Sequence, residues 1–211
     1  MLFNLIIGAW ITLGIYIAFA IGPARGLVAT PVAFFHVPMA ITMEVAFLLA
    51  AWYGVCWLRT RRVQNDALSF AFAEVGAAFG LIATITGSIW ARANWNRYWS
   101  WDPQQVGILA VLLTYAALFT LRSATEDEDK QRNLWAVYAV FGVLAAIFWT
   151  FIFRRLLPTL HPPDTLLKSD RLFRFALWFN VVGYVMLLVR LAQLRARLEI
   201  ARERLKELQW A

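Results

Sequence analysis

Between Ile89 and Gln105 the chain places Trp90, Trp95, Trp99 and Trp101, four of its 11 tryptophans, with Tyr98 between them and Arg92 and Arg97 alongside. Indole and phenol rings stack on flat apolar faces, and guanidinium groups pair with carboxylates in a planar fork. A shelf of this kind suits a flat, apolar ligand that carries acid groups, and haem answers that description. The chain has 2 histidines, His36 and His161. Each stands beside proline: His36 two residues before Pro38, His161 directly before Pro162 and Pro163. Proline fixes its own backbone and restricts its neighbour. Two imidazoles on stiff loops make candidate axial ligands for haem iron. Ligation from both sides would close the iron to oxygen and suit a protein that holds haem and passes it on. Arg97 and Arg154, with Arg25 and Arg155, are candidate partners for the propionates.

Each of these residues also has a plainer reading, and the two stay side by side. Tryptophan is common at membrane interfaces, and arginine there anchors to lipid phosphate. A histidine at an interface can simply bond water. Asp102, followed by Pro103 and with Gln105 three residues on, has the pattern of a helix N-cap, a proline at the first helical position and a capping-box partner. That reading is compatible with a place in the ligand site, because a capped helix start would fix the angle of the shelf. Glu44 and Glu74 lie within apolar runs, where an ionisable residue is a functional candidate or a hydrogen-bonded link between helices.

These residues need elements to position them, and composition says what kind. Of 211 residues 61% are hydrophobic and 16% charged, and mean hydropathy is +0.60. A soluble domain is about a quarter charged and less than half apolar. The expectation is an all-α polytopic membrane protein. Six runs are long enough to cross a bilayer, which takes about 20 residues each: 2–21, 38–58, 67–90, 103–121, 134–153 and 172–189. The apolar N-terminus lacks a basic leader region and reads as a retained span. The loop 22–37 should carry His36, the loop about 89–103 the tryptophans, and the loop 154–170 His161. All three fall on one face of the membrane. The even connectors and the C-terminal segment hold twelve of the 20 lysines and arginines, the other loops eight. That asymmetry places both termini in the cytoplasm and the candidate site outside.

The organisation expected is a six-helix membrane domain, residues 1–189, and a charged cytoplasmic helical extension, residues 190–211. The extension carries Leu191, Leu194, Leu198, Ala201, Leu205 and Leu208 at alternating spacings of three and four. It reads either as a solvated end of span six or as a docking helix. The acidic run Glu126 to Asp129 reads as a solvated loop. The net charge of +7 reflects membrane topology, not a nucleic-acid footprint. Cys56 is the chain's 1 cysteine, so neither an internal disulfide nor a covalent c-type haem attachment is open to it. With no nucleophile-and-base pair apparent, the expectation is not an enzyme.

The residues together resemble a known family, the six-span haem exporter protein C of cytochrome c maturation (CcmC). The likeness rests on Phe35-His36-Val37-Pro38, on Trp90, Trp95, Trp99, Trp101 and Asp102 in a tryptophan-rich WWD domain, and on Leu160-His161 before proline. It runs through all six spans in order. The resemblance implies that His36 and His161 ligate haem b iron and that the tryptophan-rich loop holds the macrocycle, non-covalently and in passing, at the outer face of the inner membrane. It implies delivery to a haem chaperone of the CcmE type, together with ABC transporter subunits of the CcmA and CcmB type and a small CcmD-type subunit. Two departures stand out. Asn96 occupies a position where the family usually has glycine, and Pro103-Gln104-Gln105 after the aspartate is closer to the CcsA-type cytochrome c synthases. Those synthases have extra spans and a further histidine pair, and this chain has neither. The alternatives are a CcsA-like delivery component and a bis-histidine haem b electron-transfer subunit.

Overall fold

The structure, a computed structural model, describes residues 2–21, 30–161 and 171–209. Most of those residues are helical, and six helices are long and apolar enough to cross a membrane. They are α1 (Leu2–Ile21), α2 (Thr30–Thr60), α3 (Val63–Trp95), α4 (Pro103–Ser123), α5 (Glu128–Ile147) and α7 (Arg171–Gln209). Helix α5 runs through a π-helical segment, Phe148–Ile152, into a single further turn, α6 (Phe153–Leu156). The chain is a multi-pass membrane protein, as its composition demands.

Helices α2 and α3 form the central pair. Arg61 turns the chain between them in a left-handed conformation, φ 55°. Their backbones come close because small residues face each other: a Cβ on Gly76 would lie 2.6 Å from that of Ala46. Without a hydrophobic drive between helices in lipid, such close approach is what holds spans together. Buried polar links add to it. Trp135 Nε1 donates to Ser69 Oγ at 2.9 Å, and Ser69 Oγ donates to the Ala50 carbonyl at 2.7 Å. Helix α1 leans on α7, where Trp10 Nε1 donates to the Phe179 carbonyl at 2.9 Å and the two rings stack at 4.3 Å.

The end of the bundle away from the tryptophans is tied by ions. Arg122 grips Asp66 with two bonds, 2.8 and 2.7 Å, with both side chains buried. Arg132 reaches Glu203 at 3.0 Å, and Arg195 pairs with Glu74 at 2.8 Å and with Glu199 at 2.6 Å. A buried guanidinium can be accommodated only with such partners.

Two expectations are corrected by the fold. His36 is not on a loop: α2 starts at Thr30 and carries it inside the helix. Pro31 suits a first turn, where its missing N–H costs nothing, and Pro38 removes only one backbone donor from a helix supported by its neighbours. The C-terminal segment continues span six as a helix, in keeping with one of its two readings, since α7 is continuous for 39 residues. The acidic run is not a plain loop but opens α5: Asp127 is the N-cap, accepting from the Lys130 amide at 2.6 Å, and Glu128 and Asp129 fill the first turn. Acidic groups there complement the positive end of the helix. Arg25 lies outside the described residues.

Candidate functional site

The site is built at the end of α3, the start of α4 and the segment after α6. Helix α3 ends at Asn96, which caps it in the left-handed conformation, φ 59°, its amide donating to the Arg92 carbonyl at 3.1 Å. Asparagine is the residue besides glycine that enters this region readily. The departure from the family's glycine therefore keeps the turn. Trp101 is also left-handed, φ 56°, a strained state for a bulky side chain. Helix α4 then opens on Asp102, whose Oδ1 accepts from the Gln104 amide at 2.9 Å, with Pro103 in the first turn. Gln105 does not complete a capping box. Its Oε1 accepts from Ser100 N at 2.9 Å and its Nε2 donates to the Tyr98 carbonyl at 3.1 Å, so it pins the tryptophan loop instead.

Asp102 does far more than cap. Its Oδ2 accepts from Thr159 Oγ1 at 2.8 Å and from the Leu160 amide at 2.6 Å. Its Oδ1 also faces His161 Nδ1 at 2.8 Å. A carboxylate offers about four acceptor positions, and all are used. The segment carrying His161 is thereby fastened to the start of α4. Burial pushes the Asp102 carboxyl up, but the Leu160 and Gln104 amides, the Thr159 hydroxyl and the imidazole outweigh it and hold it below the usual carboxylate range. For His161 burial dominates and lowers its value, against the raising effect of Asp102. The imidazole is neutral near neutral pH, with its proton on Nδ1 toward the carboxylate and a lone pair on Nε2.

His36 is supported in the same manner from another element. Its Nδ1 lies 2.8 Å from the Ala83 carbonyl of α3. A carbonyl only accepts, so Nδ1 carries the proton, and among the described residues Nε2 has no hydrogen-bond partner. Gly87, one turn along, leaves the ring its space: a Cβ there would stand 2.7 Å from His36 Cε1. Hydrogen-bond partners of this kind, behind the ligating atom, fix tautomer and ring angle in metal-binding histidines.

Both imidazoles line one cavity, together with Trp95, Trp99, Gln104, Gln105, Met43 and Thr150. It holds about 590 Å³ of unfilled space, part of it open to the outside. Trp90 stacks on His161 at 6.0 Å and Trp95 meets it edge-on at 4.8 Å. These two rings thus box in the imidazole, and Trp95 and Trp99 supply the wall. Trp101 and Tyr98 are exposed and do not line the cavity, and neither does the exposed Arg97. Arg154 stands at the rim, 3.4 Å from Gln104 Oε1. Among the described residues no group of three or more His, Cys, Asp or Glu could hold a bare metal ion. Two imidazoles whose Nε2 atoms have no partner among the described residues are a donor set that would fit the two axial positions of a haem iron.

A model of one family, "Heme exporter protein C", matches residues 2–211. The chain belongs to the haem exporter protein C family. The heme exporter protein C of Rhodobacter capsulatus is 31% identical over 225 aligned positions, covering 95% of this chain and 89% of the relative. That of Paracoccus denitrificans is 30% identical over 180, covering 83% and 75%. A shorter match, 35% over 80 residues, links 38% of the chain to 26% of the cytochrome c biogenesis protein CcsA of a Synechococcus species. Membership gives this haem exporter C chain a role in haem handling for cytochrome c maturation.

Residue reading alone missed the contributions of Ala83, Gly87, Thr150 and Thr159. The one visible signal was the spacing Gly76, Gly80, Gly87, a small-residue stripe along α3 that announces close approach to a neighbour.

Proposed function

We propose that the chain holds haem b, non-covalently and in passing, between His36 Nε2 and His161 Nε2. Trp95 and Trp99 lie against the macrocycle, Trp90 steadies His161, and Asp102 acts through His161. Arg154 meets a propionate at the rim, with Arg97 nearby in the tryptophan loop. The observation that carries this reading is that two imidazoles from distant parts of the sequence line one cavity, each with Nδ1 engaged and, among the described residues, Nε2 unengaged. The site is on the outer face of the inner membrane and both termini, with the extension 190–211, are cytoplasmic. The support is the basic character of the opposite end, which carries Arg59, Arg61, Arg62, Arg122 and Arg132.

The two ligands are held unequally. His36 belongs to a helix, whereas His161 follows the end of α6 on residues 157–161, which hydrogen bonds to Asp102 fasten. A site that closes from one firm side and one tethered side can be opened again. That favours delivery over a resident electron-transfer haem, and a binding and delivery role over catalysis. The receiver is a chaperone of the CcmE type, in an assembly with CcmA-, CcmB- and CcmD-type subunits, the partners implied by the family.

The test is the absorption spectrum of the purified chain with haem, beside His36→Ala and His161→Ala. A low-spin Soret band lost in either variant supports ligation by that residue. Unchanged spectra in both remove the histidines from the site.

A further inference from the structure

The inner part of the cavity reaches a second polar group. Thr150, on the π-helical segment, lines the cavity, and its hydroxyl donates to Glu44 Oε1 at 2.6 Å. Glu44 is 8% exposed. Among the described residues its Oε2 has no hydrogen-bond partner, and neither has the buried hydroxyl of Tyr115 from α4. The π segment that sets Thr150 here is built into the packing: the Trp149 carbonyl oxygen lies only 2.5 Å from where a Cβ on Gly107 of α4 would stand. Such bulges recur at functional sites.

The charges on the surrounding helices are committed elsewhere. On α3, Glu74 is paired with Arg195 of α7, and Asp66 with Arg122 of α4. On α5, Arg132 is paired with Glu128 and with Glu203 of α7. Tyr115 of α4 lies within electrostatic reach of Glu44, and Tyr184 of α7 is buried against Phe79. On α2 itself His36 is about two turns away, and His161 lines the same cavity as His36. An ionised carboxylate at this depth is costly without a cation, and none of the described residues supplies one. The cargo can. A ferric haem with two neutral imidazoles carries one net positive charge at its core, and a ferrous one carries none.

We propose that Glu44 is the counter-charge of this cavity, ionised when the bound haem is ferric and protonated when it is ferrous. This rests on the haem-binding reading above. In balance, iron(III) takes one electron from an external one-electron donor, dithionite in the assay, and the Glu44 carboxylate takes one proton from solvent. The charge within the cavity is unchanged. Glu44 lies eight residues from His36, about 12 Å along the helix. At an effective dielectric of about 20 a unit charge at that distance shifts the redox ratio about tenfold, or about 59 mV for one electron.

The experiment is a spectroelectrochemical titration of the haem-loaded full chain from acid to alkaline pH, with Glu44→Gln alongside. The two midpoint potentials should agree at low pH, where both side chains are neutral. The unsubstituted protein should fall below the variant by about tenfold in redox ratio at high pH. The unsubstituted protein supplies a second arm should the variant fail to fold. Its infrared difference spectrum should gain a protonated carboxyl band on reduction, and Thr150→Val should move that band. Superimposed potentials, or a spectrum without the band, overturn the assignment while leaving haem binding intact. Failure of the chain to take up haem at all overturns the reading beneath it.

Discussion

Adding a single methyl group at Gly87 should test the histidine geometry without touching either histidine. In Gly87→Ala the new Cβ would lie 2.7 Å from His36 Cε1 and 2.9 Å from Nδ1. Ordinary contact begins at 3.4 Å, so the ring must recede by roughly 0.7 Å to clear it. It cannot do so freely, because Nδ1 is bonded to the Ala83 carbonyl at 2.8 Å, on the same helix as the intruding methyl. Overpacking of this kind costs about 1–3 kcal/mol. Loss of a supporting contact to a metal-binding histidine lowers affinity about 10- to 100-fold, equivalent to about 1.4–2.7 kcal/mol. The assay is a haem titration followed by the low-spin Soret band. Gly8→Ala serves as the control, since a Cβ on Gly8 meets nothing within 4 Å; it should leave affinity unchanged and raise helix stability by up to about 1 kcal/mol. The cycle closes with the double variant: if the methyl acts through His36, Gly87→Ala combined with His36→Ala should bind no worse than His36→Ala alone. Affinity within twofold of the unsubstituted protein in Gly87→Ala, with an unchanged spectrum, would refute the reasoning.

Asp102→Asn retains an N-cap, so helix stability should move by less than about 0.5 kcal/mol, while haem affinity should fall about 10- to 100-fold for want of the charged partner of His161. Trp95→Ala, which empties a cavity wall and frees one side of His161, should weaken binding severalfold in the same titration, whereas Trp101→Ala, at an exposed residue, should leave it within twofold. Affinity for ferrous haem should be flat above about pH 6.5, the ordinary imidazole value, because the folded value of His161 is lower still. On acidification His161 takes a proton that competes with iron. Because the unfolded chain binds that proton at higher pH than the folded one, stability also falls as pH drops below about 6.5, and Asp102 adds to the loss further into the acid range; thermal melts across pH check the sign. Asp66→Asn should leave Arg122 buried beside a neutral partner and cost about 3–5 kcal/mol by denaturant titration, with no change in the Soret spectrum of the folded fraction.

The spans were legible because run length and hydropathy are local properties, and a membrane leaves a helix few alternatives. Their ends were less so. Helix α3 begins at Val63 and runs to Trp95, beyond the apolar run at both sides, because polar residues extend a helix that packing has already started. Pro38 read as a boundary, yet a buried helix with close neighbours absorbs one missing donor. Although the capping-box partner read at Gln105 did not form, the cap at Asp102 was legible because an aspartate followed directly by Pro103 is a local signal. Its hold on Thr159, Leu160 and His161 was not, because those donors come 57 to 59 residues later. For the same reason nothing in the sequence paired Glu74 with Arg195, 121 residues away, or Glu44 with Thr150, 106 residues away.

Those long-range pairs also separate the two intramembrane acids, which the sequence offered on equal terms. Glu74 has a guanidinium at 2.8 Å, so its charge is already answered within the protein and any change at the cavity leaves it indifferent. Glu44 has one hydroxyl and an unbonded oxygen. A buried carboxyl so placed is stable as a neutral acid or beside an incoming cation, but not as a bare ion. The free energy of Glu44 therefore depends on what occupies the space beyond Thr150, and that of Glu74 does not. By linkage, an occupant that changes the charge of Glu44 must itself be held differently according to its own charge. A site that distinguishes its cargo by charge needs one unanswered group within electrostatic reach, and of the two acids only Glu44 meets that condition.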